Sequence, residues 1–315
     1  MNRPDGEKEL VTVVIPAFRA RNYIVEALES VRAQTYSSWE LVVVDDCSPE
    51  PVEDLVNAFA ATVPQNRVRL LHHDENQGWA GTINTGIRAA TGEYVAFLDH
   101  DDLWRETYLA DAMKAMKSES ADLAYCDVEL FREKPGDFPD AQASDPQRWG
   151  PFPDSLYAHN FIQPSGVVMR KRTLEQLGLL DTVPEKRTCE DLDLWLRAAG
   201  QGVKFARISK PNLLYRKHPQ ALTSNARRIA AAKAHVICRN LATVRQVPFS
   251  FRLKRARIIC AEAAKSYGWE QPSKAAYFYK LSFHTCPRFE KTWMKHALAY
   301  IFYRTISWFR ADRPG

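Results

Sequence analysis

Tyr94-Val95-Ala96-Phe97-Leu98 runs without a break into Asp99-His100-Asp101-Asp102. The first five residues are apolar at every position, the pattern of a strand buried on both faces of a parallel sheet. The next four carry three carboxylates. Charges crowded at a strand end repel one another unless a cation or a donor-rich ligand lies between them. Ligands of open α/β sheets bind just beyond the carboxyl ends of the strands. The arrangement recurs upstream, where Leu41-Val42-Val43-Val44 meets Asp45-Asp46, and Glu190-Asp191 with Asp193 forms a further acidic group. This suits a divalent metal holding a phosphorylated ligand, and hard oxygen donors favour Mg²⁺ or Mn²⁺.

Outward from that stretch, strands alternate with helices. Val11-Thr12-Val13-Val14-Ile15 is a β-branched run that Pro16 should stop, and residues 22–34 place Ile24, Leu28 and Val31 on one helical face. Helices are predicted over 51–61, 80–90 and 105–118, and strands over 68–71 and 123–128. Alternation of this kind implies right-handed βαβ crossovers and a mostly parallel sheet. Residues 132–160, rich in Pro, Asp and Gly, read as a long loop. A strand at 166–170, a helix at 172–178 and a helix opening at Glu190 follow. From Ala226 the chain reads as helical, punctuated by Pro248, Pro272 and Pro287.

The 315 residues are 45% hydrophobic and 26% charged, which fits a globular chain with a real core. The six cysteines show no zinc spacing. The polar start from Met1 to Glu9 does not read as a signal peptide, so reduced cytoplasmic thiols are expected. No run of about 18 apolar residues predicts a membrane span. The net charge of +5 is unevenly spread: residues 225–315 hold 18 Lys and Arg against 4 Asp and Glu, and residues 1–224 hold 25 against 34. Two regions with different partners are expected, an acidic one at 10–224 and a basic helical extension at 225–315.

Each constellation has a plain and a chemical reading. Asp45-Asp46-Cys47-Ser48 is either a turn with a helix cap or a site where an ionised carboxylate accepts a nucleobase N–H. Asn76-Gln77-Gly78 and Asn84-Thr85-Gly86 match neither the dinucleotide fingerprint nor the P-loop, which removes the main support for a nicotinamide dehydrogenase or a P-loop kinase. Gly86 and Gly92 read as turn and packing glycines. The acids at Thr188-Cys189-Glu190-Asp191-Leu192 either complement a helix dipole or supply a general base. His218, after Tyr215-Arg216-Lys217, is either structural or a ligand to metal or phosphate.

Taken in order, these pieces resemble the inverting family 2 glycosyltransferases of the GT-A fold. The resemblance rests on Val11–Phe18, on Ser30–Tyr36 with Glu40–Ser48, on Asn76–Gly86 with Gly92–Tyr94, on the D-x-D stretch Phe97–Asp102, on Gly178–Asp181, on Glu190–Arg197, and on Tyr215–His218. It implies a mostly parallel sheet sandwiched by helices, with an α-helical C-terminal extension. It implies that Asp46 accepts the uracil or other base N–H with Asp45 in support, and that the backbone at Pro16, Ala17 and Phe18 lies along the base. Asp99 would contact the ribose, Asp101 and His218 would hold Mn²⁺ or Mg²⁺, and Asp191 would deprotonate the acceptor. Glu190, Asp102, Asn76 and Arg216 are candidates for support. Cys47 stands where the family usually has Gly, and His100 fills a slot usually held by a small residue. The Q-x-x-R-W motif of processive synthases is absent, which favours single additions.

The expected partners are a nucleotide-sugar donor, with a UDP-sugar favoured, and a glycan or lipid-linked acceptor, in a cytoplasmic protein that meets the inner face of the membrane. The membrane reading comes from a stripe at Trp293, Met294, Ala297, Leu298, Ile301, Phe302, Ile306 and Phe309, with Lys295, His296, Arg304 and Arg310 beside the opposite face. A helix packed on its own domain explains the same spacing. No recognised motif supports nucleic-acid binding. The rival functions are a sugar nucleotidyltransferase and a non-catalytic scaffold that binds lipid or nucleic acid through the basic helices.

Overall fold

β1 (Val11–Ala17) is buried at every position and lies between β2 (Trp39–Asp45) and β4 (Tyr94–Phe97), parallel to both. The strand runs through Pro16 rather than stopping there. Pairing with β4 ends at Val14 and Phe97, so Pro16 lies past the end of that ladder. The computed structural model describes residues 9–137, 150–222, 225–284, 296, 298–305 and 307.

β3 (Val68–His72), β5 (Leu103–Trp104), β6 (Leu123–Phe131), β7 (Val167–Arg170) and β8 (Phe205–Arg216) complete one sheet of order β3-β2-β1-β4-β7-β6-β8-β5. The sheet is mixed. The β1–β4 block is parallel, but β7 runs antiparallel to both β4 and β6, and β5 runs antiparallel to β8. Apolar runs reveal that a strand is buried but not which way it points, so the antiparallel half was illegible in the sequence. β5, two residues long, carries too little pattern to be read at all.

α1 (Ile24–Arg32) buries Ile24, Ala27, Leu28 and Val31, the face read from the spacing. α2 (Glu53–Ala60), α3 (Gly78–Ala89), α4 (Tyr108–Ser118) and α6 (Lys171–Gln176) also fall where helices were expected. Gly86 on α3 is a packing glycine: a Cβ there would meet Val14 Cγ1 at 2.2 Å. Such overpacking typically costs about 1–3 kcal/mol. Gly92 has the same character, with Leu10 O at 2.7 Å from an added Cβ.

The chain divides into two compact units that do not follow chain order. The first takes the described residues of Met1–Arg148, Phe161–Thr182 and Gly202–Pro219, and contains the whole sheet. The second takes those of Trp149–Asn160, Val183–Gln201 and Gln220–Gly315. It holds α5 (Asp154–Ala158), α7 (Glu190–Gly200), α8 (Ala226–Arg239), α9 (Phe249–Tyr267) and α10 (Pro272–His284). α5 lies inside the stretch expected to be loop. Asn225 caps α8 by accepting from Arg228 N at 3.0 Å. Pro248 precedes α9 and Pro272 opens α10, positions where a missing N–H costs nothing.

Residues 298–305 are helical, and Leu298, Ile301 and Phe302 are 63%, 58% and 48% exposed. His296, expected on the polar face, is instead buried and bonded to Ser282 Oγ at 2.7 Å. Trp293, Met294, Lys295, Ala297, Ile306, Phe309 and Arg310 lie outside the described residues, as do 138–149 of the expected loop. No described helix is long and apolar enough to cross a membrane.

Candidate active site: two groups of carboxylates

In the first unit, the carboxyl ends of β1, β2 and β4 bring the expected donor-side residues onto one edge of the sheet. Asp46 N donates to Ala17 O at 2.8 Å, and His100 Nδ1 lies 3.2 Å from Pro16 O, which ties all three strand ends together. Phe18 remains 39% exposed, with Arg19 over its ring. Cys47 has φ 58°, in the left-handed region where Gly is usual, so the turn keeps the glycine conformation without the glycine.

Asp45 and Asp46 do different things. Asp45 Oδ1 accepts from Ser48 N at 3.1 Å, a turn cap. Asp46 is buried and reaches across to α3: its oxygens accept from Gln77 N at 2.8 Å and Gly78 N at 2.9 Å. It therefore neutralises the start of a helix whose free N–H groups favour an anion. Asn76 supports the same turn, with Nδ2 at 3.1 Å from Asp46 O. The cap is for α3 and comes from 31 and 32 residues away, which local sequence patterns do not reveal.

His73 is a site residue that the sequence reading missed. Its Nδ1 lies 2.8 Å from Asp46 Oδ1 and its Nε2 lies 2.9 Å from Thr85 Oγ1. An ionised carboxylate only accepts, so Nδ1 carries a proton, and in the neutral ring Nε2 then accepts from the Thr85 hydroxyl. The only sequence signal was its place at the end of β3, next to the carboxyl ends of its neighbours.

The D-x-D stretch folds into a tight knot. Trp79 Nε1 donates to Asp99 Oδ1 at 2.6 Å, and Asp99 N donates to Ser165 Oγ at 3.1 Å. Arg216 is a clamp: its backbone N donates to Asp102 Oδ1 at 3.0 Å, Nε to Asp101 O at 2.9 Å, and Nη2 to Glu26 Oε2 at 2.9 Å. Its guanidinium also lies over the rings of Tyr23 and Phe131. His218 Nε2 lies 2.8 Å from Asp101 Oδ2. Trp79 and Ser165 were not singled out in the sequence; each comes from a separate element and meets the site only after folding.

These residues fit a divalent cation. Carboxylate oxygens of Asp99, Asp101 and Asp102 all lie within 4.8 Å of one another. Asp102 Oδ2 and His218 Nδ1 are buried without a hydrogen-bond partner among the described residues. Burial, then the charges of Asp101 and Asp99, push the Asp102 carboxyl well above its ordinary range. Burial also raises Asp101, but the hydrogen bond from His218 and the nearby imidazoles outweigh it and hold Asp101 below the usual value. A cluster with this much uncompensated negative character, built of hard oxygens, matches Mg²⁺ or Mn²⁺.

In the second unit, the start of α7 carries Glu190, Asp191 and Asp193, all buried. Asp193 is committed to structure, accepting from Arg197 Nε at 2.8 Å and from Asn240 Nδ2 at 2.9 Å. Glu190 turns back to accept from Thr188 N at 2.7 Å. Thr188 itself has φ 86°, a strained conformation for a β-branched residue. Asp191 accepts from Asn160 Nδ2 at 2.7 Å. Burial lifts Asp191 to about 6, against the Asn160 hydrogen bond. Burial lifts Glu190 to about 7, with the charge of Asp191 contributing. Carboxyls poised there suit proton transfer near neutral pH.

The domain model described as glycosyl transferase family 2 matches residues 12–177. A putative teichuronic acid biosynthesis glycosyltransferase, TuaG of Bacillus subtilis, is 30% identical over 221 residues, 69% of this chain and 83% of that protein. The Escherichia coli UDP-Glc:alpha-D-GlcNAc-diphosphoundecaprenol beta-1,3-glucosyltransferase WfaP is 26% identical over 220 residues, 69% of this chain and 81% of that one. The structure of the mannosyltransferase PcManGT from Pyrobaculum calidifontis, in complex with GDP-Man and Mn²⁺, aligns with TM-score 0.60 at 20% identity, over 96% of this chain and 87% of its own, a likeness of fold. The match to more than half of the chain, together with the strand-end carboxylates, shows that the chain is a glycosyltransferase and belongs to glycosyl transferase family 2.

Proposed function

We propose that the protein transfers a single sugar, with inversion, from a UDP-sugar to a glycan or lipid-linked acceptor during synthesis of a cell-surface polysaccharide. The observation that carries this is the convergence of Asp99, Asp101 and Asp102 at the end of β4, on the sheet edge that also holds Asp46. The description of TuaG as a putative teichuronic acid biosynthesis glycosyltransferase, and the UDP-Glc donor and alpha-D-GlcNAc-diphosphoundecaprenol acceptor in the name of WfaP, support the donor and acceptor classes. With the family in place, the nucleotidyltransferase and scaffold readings lose their ground.

In this reading the residues divide the work. Asp46, backed by Asp45, Asn76 and His73, accepts the N–H of the base, using lone-pair capacity beyond its bonds to α3. Pro16, Ala17 and Phe18 line the base, and Asp99 meets the ribose. Asp101 and His218, with Asp102 in support, hold Mn²⁺ or Mg²⁺, as the Mn²⁺ bound by PcManGT supports. When bound, such a cation neutralises charge on the departing diphosphate. Arg216 keeps the D-x-D turn in shape. Asp191 takes the proton of the attacking hydroxyl, with Glu190 beside it. The catalytic region spans 10–224, and 225–315 extends it.

A thermal-shift screen of nucleotide-sugars with and without Mn²⁺ tests this. A ligand that binds only the folded state raises the melting temperature. UDP-sugars should do so in Mn²⁺ and lose the effect in chelator. If no nucleotide-sugar stabilises the protein in either condition, the donor assignment falls.

The second unit carries the groups that would meet the membrane. Leu298, Ile301 and Phe302 are exposed, Trp269 (57% exposed) packs edge-on against Phe302 at 5.2 Å, and the segment 225–315 has 18 basic residues against 4 acidic. Apolar and aromatic groups within a strongly basic segment suit an anionic lipid surface. The protein should sediment with vesicles containing anionic lipid, less so as salt rises, and a chain ending at residue 284 should not. If the shortened protein unfolds, or if Leu298→Asp with Phe302→Asp in the full chain leaves sedimentation unchanged, the patch is not the lipid contact.

A further inference from the structure

We propose that Asn160 is a positioning residue for the Asp191 carboxylate: its amide holds one carboxylate oxygen in place and so leaves the other to receive the acceptor proton. This role rests on the reading of Asp191 as the base. Asn160 follows α5, in a segment where the sequence shows no regular pattern, yet its Nδ2 lies 2.7 Å from Asp191 Oδ2. Because an ionised carboxylate only accepts, the NH₂ end of the amide must face it. That decides the orientation of the other end. Asn160 Oδ1 is buried and has no hydrogen-bond partner among the described residues.

An amide with one end bonded to a buried carboxylate and the other end bare is poorly explained by stability alone, since buried acceptors are normally paired. It is well explained if a hydroxyl donor reaches Oδ1 when an acceptor binds. The setting is also selective. Asp193, two residues on, is held by Arg197 and Asn240, and Glu190 by the backbone of Thr188. Asp193 thus has an arginine as well as an amide, whereas the side-chain donor to Asp191 among the described residues is the neutral amide of Asn160. A neutral side-chain donor, acting with the backbone N–H groups of Asp191 and Leu192, orients a carboxylate without the strong acidification that an arginine would impose.

The ionisable groups around Asp191 are Glu190 and Cys189 of its own turn, which in turn face Arg228 and Lys233 of α8. Burial pushes the Cys189 thiol above its ordinary range and the Lys233 amine below its own. Glu190 titrates close to Asp191, so the two must be separated to read either.

The full chain, labelled with ¹³C at aspartate carboxyls and carrying Glu190→Gln, isolates the Asp191 signal as the resonance lost in Asp191→Asn. Removing a donor that favours the ionised form raises the carboxyl pKa. Asn160→Leu should therefore move the midpoint upward by about one pH unit, a tenfold change in proton affinity. With Mn²⁺ and UDP-glucose, the acid limb of donor hydrolysis should move by the same amount, with rates converging on wild type at high pH. Should Asn160→Leu fail to fold, Asn160→Ser, which is smaller than the native residue, carries the same expectation. An unmoved midpoint in a folded variant, with Asp191→Asn inactive, overturns the positioning role alone. If Asp191→Asn hydrolyses UDP-glucose as fast as wild type, the base reading fails and this role fails with it.

Discussion

Asp101 and Asp191 are both shielded carboxylates beside one polar side chain, yet their acidities move in opposite directions. Burial raises each. At the end of β4 the hydrogen bond from His218, with the charges of the nearby imidazoles, overcomes burial and holds Asp101 below its ordinary value. At the start of α7 the side-chain donor to Asp191 among the described residues is the neutral amide of Asn160, so burial wins and Asp191 sits at about 6. A hydrogen bond donated to the ionised form keeps a carboxylate charged, as holding a cation requires. A neutral partner leaves it able to gain and lose a proton. The two units thus contain the same residue type at opposite acidities, set by burial and the neighbouring donor in each.

The sharpest way to break this comparison is Asp101→Asn. It should abolish Mn²⁺-dependent binding of UDP, measured by calorimetry, while the melting curve stays cooperative. Unchanged affinity would remove Asp101 from the metal. Next in size, Asp191→Asn should leave UDP binding intact and lower turnover by about a hundredfold or more. Normal turnover would shift the proton-transfer role to Glu190, since Asp193 is held by Arg197 and Asn240.

A smaller effect is expected at His73, whose ring orients Asp46. His73→Phe removes one donor from that carboxylate, and UDP affinity should fall about tenfold, the scale of one hydrogen bond to a charged group. A variant that binds UDP as tightly as wild type would mean that the bonds from Gln77 and Gly78 suffice.

The smallest effect is on stability and has opposite signs in the two units. Asp191 is lifted from 3.8 to about 6 on folding, so between those values the folded state binds more protons than the unfolded state. Its contribution to stability is therefore greatest at low pH and falls as pH rises through that window. Asp191→Asn should stabilise the protein at pH 8, by on the order of 3 kcal/mol, and by little at pH 4. Asp101 is depressed, so its contribution is present above its unfolded value and lost as pH falls, and Asp101→Asn should not stabilise at pH 8. Denaturant melts of both variants at the two pH values would show whether the signs differ.

Much of this protein was determined by local pattern. Near-continuous apolar runs at 11–15, 41–44 and 94–98 mark buried strands because a strand covered on both faces has no polar side to alternate with. The carboxylates that follow two of them had to fall at the ligand-binding edge, since parallel βαβ topology puts all those strand ends on one side. Spacing gave the buried face of α1, and Gly86 was recognisable as a packing residue. Tertiary structure alone decided the rest. Strand direction in the second half of the sheet depends on long connections, not on the strands' own residues. His73, Trp79, Ser165 and Asn160 carry no motif; each acquires its role from a partner 20 or more residues distant, through a hydrogen bond that exists only once the chain has folded. The same holds for acidity. Asp101 and Asp191 read alike in sequence, and only burial and the chemistry of the neighbouring donor set them apart.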